Sequence, residues 1–85
     1  MSYTVQIERV AQRDLKKFSS ETLKRMLAKL KELENEPRTG DIRKLSGVDG
    51  YRVIVGSYRI LFTINDQEQA VKVYRIKHRK EAYRE

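Results

Sequence analysis

The stretch YRVIVGSYRILFTI, residues 51–64, constrains this chain more than any other. Two runs alternate apolar and polar residues around Gly56-Ser57. Gly-X is the pair favoured at a two-residue type II′ hairpin turn. With that turn, Val55 faces Tyr58, Ile54 faces Arg59, Val53 faces Ile60 and Arg52 faces Leu61 across two antiparallel strands. Side chains alternate sides along a strand, so the register also sorts the faces. Tyr51, Val53, Val55, Tyr58, Ile60, Phe62 and Ile64 share one face, which must be the core face. Arg52, Ile54, Arg59, Leu61 and Thr63 share the other.

The rest of the chain supplies the cover. YTVQIE, residues 3–8, alternates and reads as a strand. A short helix follows, with Val10, Ala11, Leu15 and Phe18 as its buried stripe. Ser19-Ser20-Glu21-Thr22 is a helix start, with a serine cap and Glu21 against the helix dipole. The second helix runs to about Asn35, before Pro37. Leu23, Met26, Leu27, Leu30 and Leu33 form its core stripe. Lys16, Lys17, Lys24, Arg25, Lys29 and Lys31 read as a solvated helical face. Residues 38–50 hold three of the four glycines and form the one substantial loop, anchored by Ile42 and Leu45. Residues 65–68 turn, and residues 70–76 return as a third antiparallel strand. The expected fold is one α+β domain over 1–85, ordered β-α-α-β-β-β. Both helices pack on one face of an antiparallel sheet, and the other face is open.

Composition narrows the chemistry. The 85 residues include no cysteine and one histidine, which leaves no disulfide and no ordinary zinc site. No apolar run reaches the length of a membrane helix. The N-terminus alternates like a strand and lacks a signal-peptide pattern, so a cytoplasmic protein is expected. Net charge is +7 and the isoelectric point about 9.9. The excess lies in the hairpin region and in residues 71–85, while the helical half is nearly balanced. A polyanion is the partner such a distribution suits. No phosphate-binding glycine loop, HExxH motif or GxSxG elbow is present.

The candidate site residues are Arg52, Arg59, Lys77, His78, Arg79 and Tyr83. In the hairpin register Arg52 and Arg59 are diagonal neighbours on the open face, roughly 7–8 Å apart. A phosphate between them is one explanation, since guanidinium groups grip phosphate with paired donors. The other is that both splay into water over Ile54 and Leu61 and shield them. His78 is a candidate general acid or base, or a surface histidine with no role. Tyr83 is placed to stack on a base or donate to a phosphate, or to pack back on the domain.

YRVIVGSYRILFTIND and VYRIKHRKEAYR resemble the two signature regions of the RelE toxin family, the ribosome-dependent mRNA interferases of toxin–antitoxin pairs. The Lys44-Leu45-Ser46-Gly47 element and the terminal HR-x-x-x-Y fit the same pattern, which spans essentially the whole chain. The ParE-type gyrase poisons share part of it. The resemblance implies a microbial-ribonuclease-like domain with mRNA on the open sheet face. Arg59 matches the arginine on the scissile phosphate, Arg52 a basic position at the start of the hairpin, Arg79 a basic tail residue and Tyr83 the tyrosine that positions the nucleotide. His78 sits where several relatives carry histidine. Two departures stand out: Ile54 replaces a lysine of some active members, and Lys77 replaces a common glycine and is placed to restore that charge.

What the resemblance implies is a metal-independent endoribonuclease with no cofactor. The RNA's 2′-hydroxyl attacks the adjacent phosphate, with His78 or a lysine of the cationic cluster as base. The implied partners are the ribosomal A site with its mRNA and an acidic RelB-like antitoxin in a hetero-oligomer, with Ile54 and Leu61 as candidate antitoxin contacts. The competing expectation is a ParE-like inhibitor that binds DNA gyrase without chemistry.

Overall fold

Val53, Ile60, Phe62, Val71 and Val73 are fully buried and form the floor on which two helices lie. The computed structural model describes residues 2–38, 40–47, 49–78 and 80. Strand β1 (Thr4–Ile7) leads to helices α1 (Arg9–Leu15) and α2 (Ser20–Leu33). A two-residue strand β2 (Arg43–Lys44), then β3 (Tyr51–Val55), β4 (Tyr58–Asn65) and β5 (Ala70–His78) follow. The five strands make one sheet in the order β1-β5-β4-β3-β2. The α+β class and the helical layer are as expected, but the sheet is mixed rather than antiparallel. β1 runs parallel to β5, pairing Thr4 with Ala70 and Ile7 with Val73. The two helices carry the chain away after β1, and the later strands return to it as neighbour. Nothing local in YTVQIE records that direction.

The hairpin forms in the expected register, from Val55↔Tyr58 to Arg52↔Leu61. Gly56 has φ +60° and Ser57 is not among the positive-φ residues, which is the type II′ arrangement. The loop 38–50 is less irregular than expected, because Arg43 and Lys44 pair with Arg52 and Tyr51 and extend the sheet by one edge.

Helix α2 starts where expected: the Ser19 hydroxyl accepts from the Thr22 N–H at 3.3 Å. Met26, Leu30 and Leu33 are buried. Two residues expected in the core stripes are not. Leu27 and Val10 are each 47% exposed. At 3.6 residues per turn Leu27 stands about 100° from Met26, off the buried line of Met26, Leu30 and Leu33. In α1 the buried line runs through Ala11 and Asp14, not Val10.

Asp14 is the one buried charged residue among those described. Its placement follows from the sheet. β1 stops pairing with β5 at Val73, and α1 takes over that flank. The β5 amides beyond that point need a partner other than a strand. Asp14 Oδ2 accepts from the Ile76 N–H at 2.9 Å and from Arg75 Nε at 3.1 Å.

The opposite end of the sheet is tied by a surface fork. Arg38 donates through both terminal nitrogens to Asp66, at 2.8 Å each. Tyr3 Oη also donates to Asp66, and Arg38 Nε donates to Tyr51 Oη. The hydrogen bonds from Arg38, then those from Tyr3, hold the Asp66 carboxyl below the usual carboxylate range, and Asp66 in turn raises Tyr3. A lowered folded-state value means stability that is present above the unfolded carboxylate value and lost as pH falls through the folded one. Wild type is therefore expected to exceed Asp66→Asn in urea stability at neutral pH, with the gap closing in acid. A gap that stays constant into strong acid would refute the linkage.

Candidate RNA-binding face and its geometry

The outer face of the sheet is built in rows. One row runs from Ile54 on β3 through Arg59 on β4 to Lys77 on β5. The next runs from Arg43 on β2 through Arg52 on β3 to Leu61 on β4. Arg52, Arg59 and Lys77 are thus brought onto one face, with Arg43 as a fourth cation that sequence reading left in a loop. Its signal was weak, since only the two-residue pairing of Arg43-Lys44 with β3 fixes which way Arg43 faces. Arg43 Nη1 donates to the carbonyls of Gly40 and Ile42, both at 3.3 Å, which holds it against its own loop.

Leu61 corrects an expectation. It was expected as an exposed contact beside Ile54, but it is 1% exposed, whereas Ile54 is 42% exposed. Leu61 lies on the outer face, between buried Ile60 and Phe62, and outside the main core cluster. The long side chains around it, Arg52 across the strand pair and Arg59 two residues earlier, are placed to close over it with their aliphatic stems. Arg59 is half-buried and its Nε is out of contact with solvent. Such an arginine presents its guanidinium from a fixed base, not from a freely moving stem.

β5 is longer than expected: it runs through His78 instead of stopping at Ile76. It also contains an irregularity. Phe62 pairs with Val73 but Leu61 pairs with Arg75, so Tyr74 is an extra residue on β5. A bulge of this kind reverses the alternation beyond it. Before it Val71 and Val73 face the core; after it Ile76 does. Lys77 therefore joins Arg59 on the outer face, and His78 pairs with Tyr58 on the helix side. Without the extra residue the two would exchange faces. Gly50 gives Tyr74 its room. A Cβ there would stand 3.3 Å from both Tyr74 Oη and Leu45 Cδ1, and 3.4 Å from the Phe62 carbonyl oxygen.

His78 is thus not brought together with Arg52, Arg59 and Lys77. Its ring meets Tyr58 edge-on at 5.3 Å, and Tyr58 meets Phe18 edge-on at 4.6 Å. Arg79 and Tyr83 lie outside the described residues. Among the described residues no group of three or more His, Asp or Glu side chains is gathered as metal ligands. No helix among the described residues is long and apolar enough to cross a membrane.

Known proteins match this architecture over nearly its whole length. A family described as the ParE toxin of the type II toxin–antitoxin system parDE matches residues 5–83. The toxin RelG of Mycobacterium tuberculosis is 35% identical over 88 residues, covering 99% of each chain. The chain belongs to the RelE/ParE superfamily of type II toxins. Its fold is similar to that in the archaeal RelE–RelB complex of Pyrococcus horikoshii, with TM-score 0.82 and 29% identity over 93% of this chain and 97% of that one. It is equally similar to the RelBE2 toxin–antitoxin complex of M. tuberculosis, with TM-score 0.82 and 27% identity over 92% and 99% of the two chains.

As a member of this superfamily the chain is a type II toxin. Of the residues expected at its site, three converge on one sheet face, one faces the other way, and two lie in the tail beyond the described residues.

Proposed function

We propose that this toxin is a ribosome-dependent mRNA endoribonuclease that works without a metal. The observation that carries the reading is the Arg59–Lys77 pair on the outer face, presented side by side by the β5 bulge. Like charges directly opposite one another repel, and a phosphate set between them converts repulsion into attraction. The RNA 2′-hydroxyl gives its proton to a lysine of the cluster in its neutral form or to water as its oxygen attacks the adjacent phosphorus. The P–O5′ bond breaks, and the departing 5′-oxygen takes up a proton, leaving a 2′,3′-cyclic phosphate and a 5′-hydroxyl. Arg59, Lys77 and Arg52 stabilise the charge that builds on the phosphorane oxygens. Arg79 and Tyr83 are proposed to close the site from the tail. His78, on the helix side, takes no part. A face rich in cations and poor in acid–base groups is a weak free ribonuclease, which suits an enzyme whose substrate is aligned by the ribosome. Such a toxin acts in the cytoplasm and is held by a RelB-like antitoxin, as the RelE of P. horikoshii is in its complex.

The description of the matching family favours a second reading, a ParE-like gyrase inhibitor. Primer extension on translated mRNA after induction separates the two. New 5′ ends within coding regions support the nuclease. Intact mRNA with DNA damage and stalled replication refutes it in favour of the inhibitor.

A further inference from the structure

The residue left without a task on the RNA face opens onto a second feature. On the helix side, a cavity of about 320 Å³ lies between the end of α1 and the ends of β4 and β5. Phe18, Tyr58 and His78 form an aromatic wall, and Asp14, Lys17, Arg75 and Ile76 complete the lining. Its polar groups are nearly all donors. Lys17 brings an ammonium and Tyr58 a hydroxyl. Arg75 commits its Nε to Asp14, which leaves the two terminal nitrogens of its fork. His78 Nδ1 accepts from the Lys80 N–H at 3.3 Å, so the neutral imidazole carries its proton on Nε2. The single carboxylate in the wall, Asp14, already accepts from Arg75 and Ile76 through one oxygen. With His78 neutral, Lys17 and Arg75 against Asp14 leave one positive charge.

We propose that this cavity receives the carboxylate of a glutamate or aspartate from a protein partner of the toxin. One monoanion neutralises the wall, and ring edges and Ile76 give an apolar lining to the methylenes behind it. A run of RNA phosphates is the poorer fit. Strand alternation puts Ile76 and His78 on the helix side, whereas Arg75 leaves β5 on the Lys77 side and reaches Asp14 and the cavity round the strand edge, so RNA gripped at Arg59 would have to turn that edge to enter. A partner anchored here holds the same strand end that presents Lys77, without occupying the Arg59 row. The inference rests on the reading of this chain as a toxin held by an antitoxin, and it names a grip for that partner.

The test is an NMR titration of the full chain with the peptide acetyl-Leu-Glu-Glu-Leu-amide, following the His78 and Tyr58 ring signals. Parallel arms use the Leu-Gln-Gln-Leu version, inorganic phosphate and a single-stranded RNA tetranucleotide. The acidic peptide is expected to shift both rings saturably and the glutamine peptide is not. Lys17→Ala and His78→Phe, the latter keeping a ring against Tyr58, are each expected to weaken binding by about tenfold, the scale of a lost charged hydrogen bond. Equal shifts with the glutamine peptide, stronger shifts with phosphate or RNA, or no shift at all would overturn the proposal. A chain that binds the peptide but leaves mRNA intact refutes only the nuclease reading. One that cuts mRNA and ignores the peptide refutes only this one.

Discussion

Arg59→Ala is expected to lower ribosome-dependent mRNA cleavage by about 10²–10³-fold, the scale of removing one preorganised donor from a developing oxyanion. The reason is positional. Arg59 is half-buried, with an Ile54 neighbour on one side and Lys77 on the other. Its guanidinium is the only fork in that row, so no neighbour in the row replaces its paired donors. Arg59→Lys keeps the charge but loses the planar fork, and its activity is expected between wild type and alanine. The fold should survive, because Arg59 lies outside the main core cluster and Arg52 still covers Leu61 from across the strand pair. The measurement is a single-turnover primer-extension assay on programmed ribosomes, with circular dichroism beside it. Full cleavage by a folded Arg59→Ala protein would refute the assignment of Arg59 to the phosphate. Loss of cleavage together with loss of fold is resolved by Arg59→Lys, which changes the donors and not the charge.

How much of this was legible in the sequence depended on range. The hairpin was readable because Gly56-Ser57 fixes its register locally, and the register alone placed Arg52 and Arg59 on one face. The Ser19 cap was readable for the same reason. The bulge at Tyr74 was not. No glycine or proline marks it, and it arises where β5 leaves β1 and packs against α1. Yet that one residue decides which of Lys77 and His78 shares the outer face with Arg59. Leu61 was misjudged because alternation reports a side of the sheet, not the depth at which neighbours bury a residue. Val10 and Leu27 were misjudged because an apolar residue beside a stripe is not always within it. Asp14 left a usable sign, an acid at i+3 from Ala11 and i−4 from Phe18, within an otherwise apolar line. Its partners are about sixty residues away, so the sign had no interpretation without the fold.

That acid carries the largest expected effect on stability. Asp14→Ala strips acceptors from a backbone amide and a guanidinium at the strand end. A buried donor left without an acceptor costs about 1–3 kcal/mol. Arg75 is 36% exposed at its side chain, so water recovers much of its share and the full cost of breaking a buried ion pair is not reached. A loss of about 2–3 kcal/mol follows, a large part of the stability of a domain this small. In thermal terms that is roughly 10–20 °C. Asp14→Asn is expected to lose less, since its amide oxygen still accepts from the Ile76 N–H. Arg75→Ala should cost less than Asp14→Ala, and the double variant should be closer to Asp14→Ala than to the sum, because both remove the same contact. Urea denaturation of the four proteins supplies the cycle. An Asp14→Ala protein within about 0.5 kcal/mol of wild type, the range of an ordinary surface change, would show that the end of β5 does not depend on this carboxylate. A loss that appears only together with a shift of the Lys77 amide signal would instead show that Asp14 sets the position of the strand end that carries Lys77.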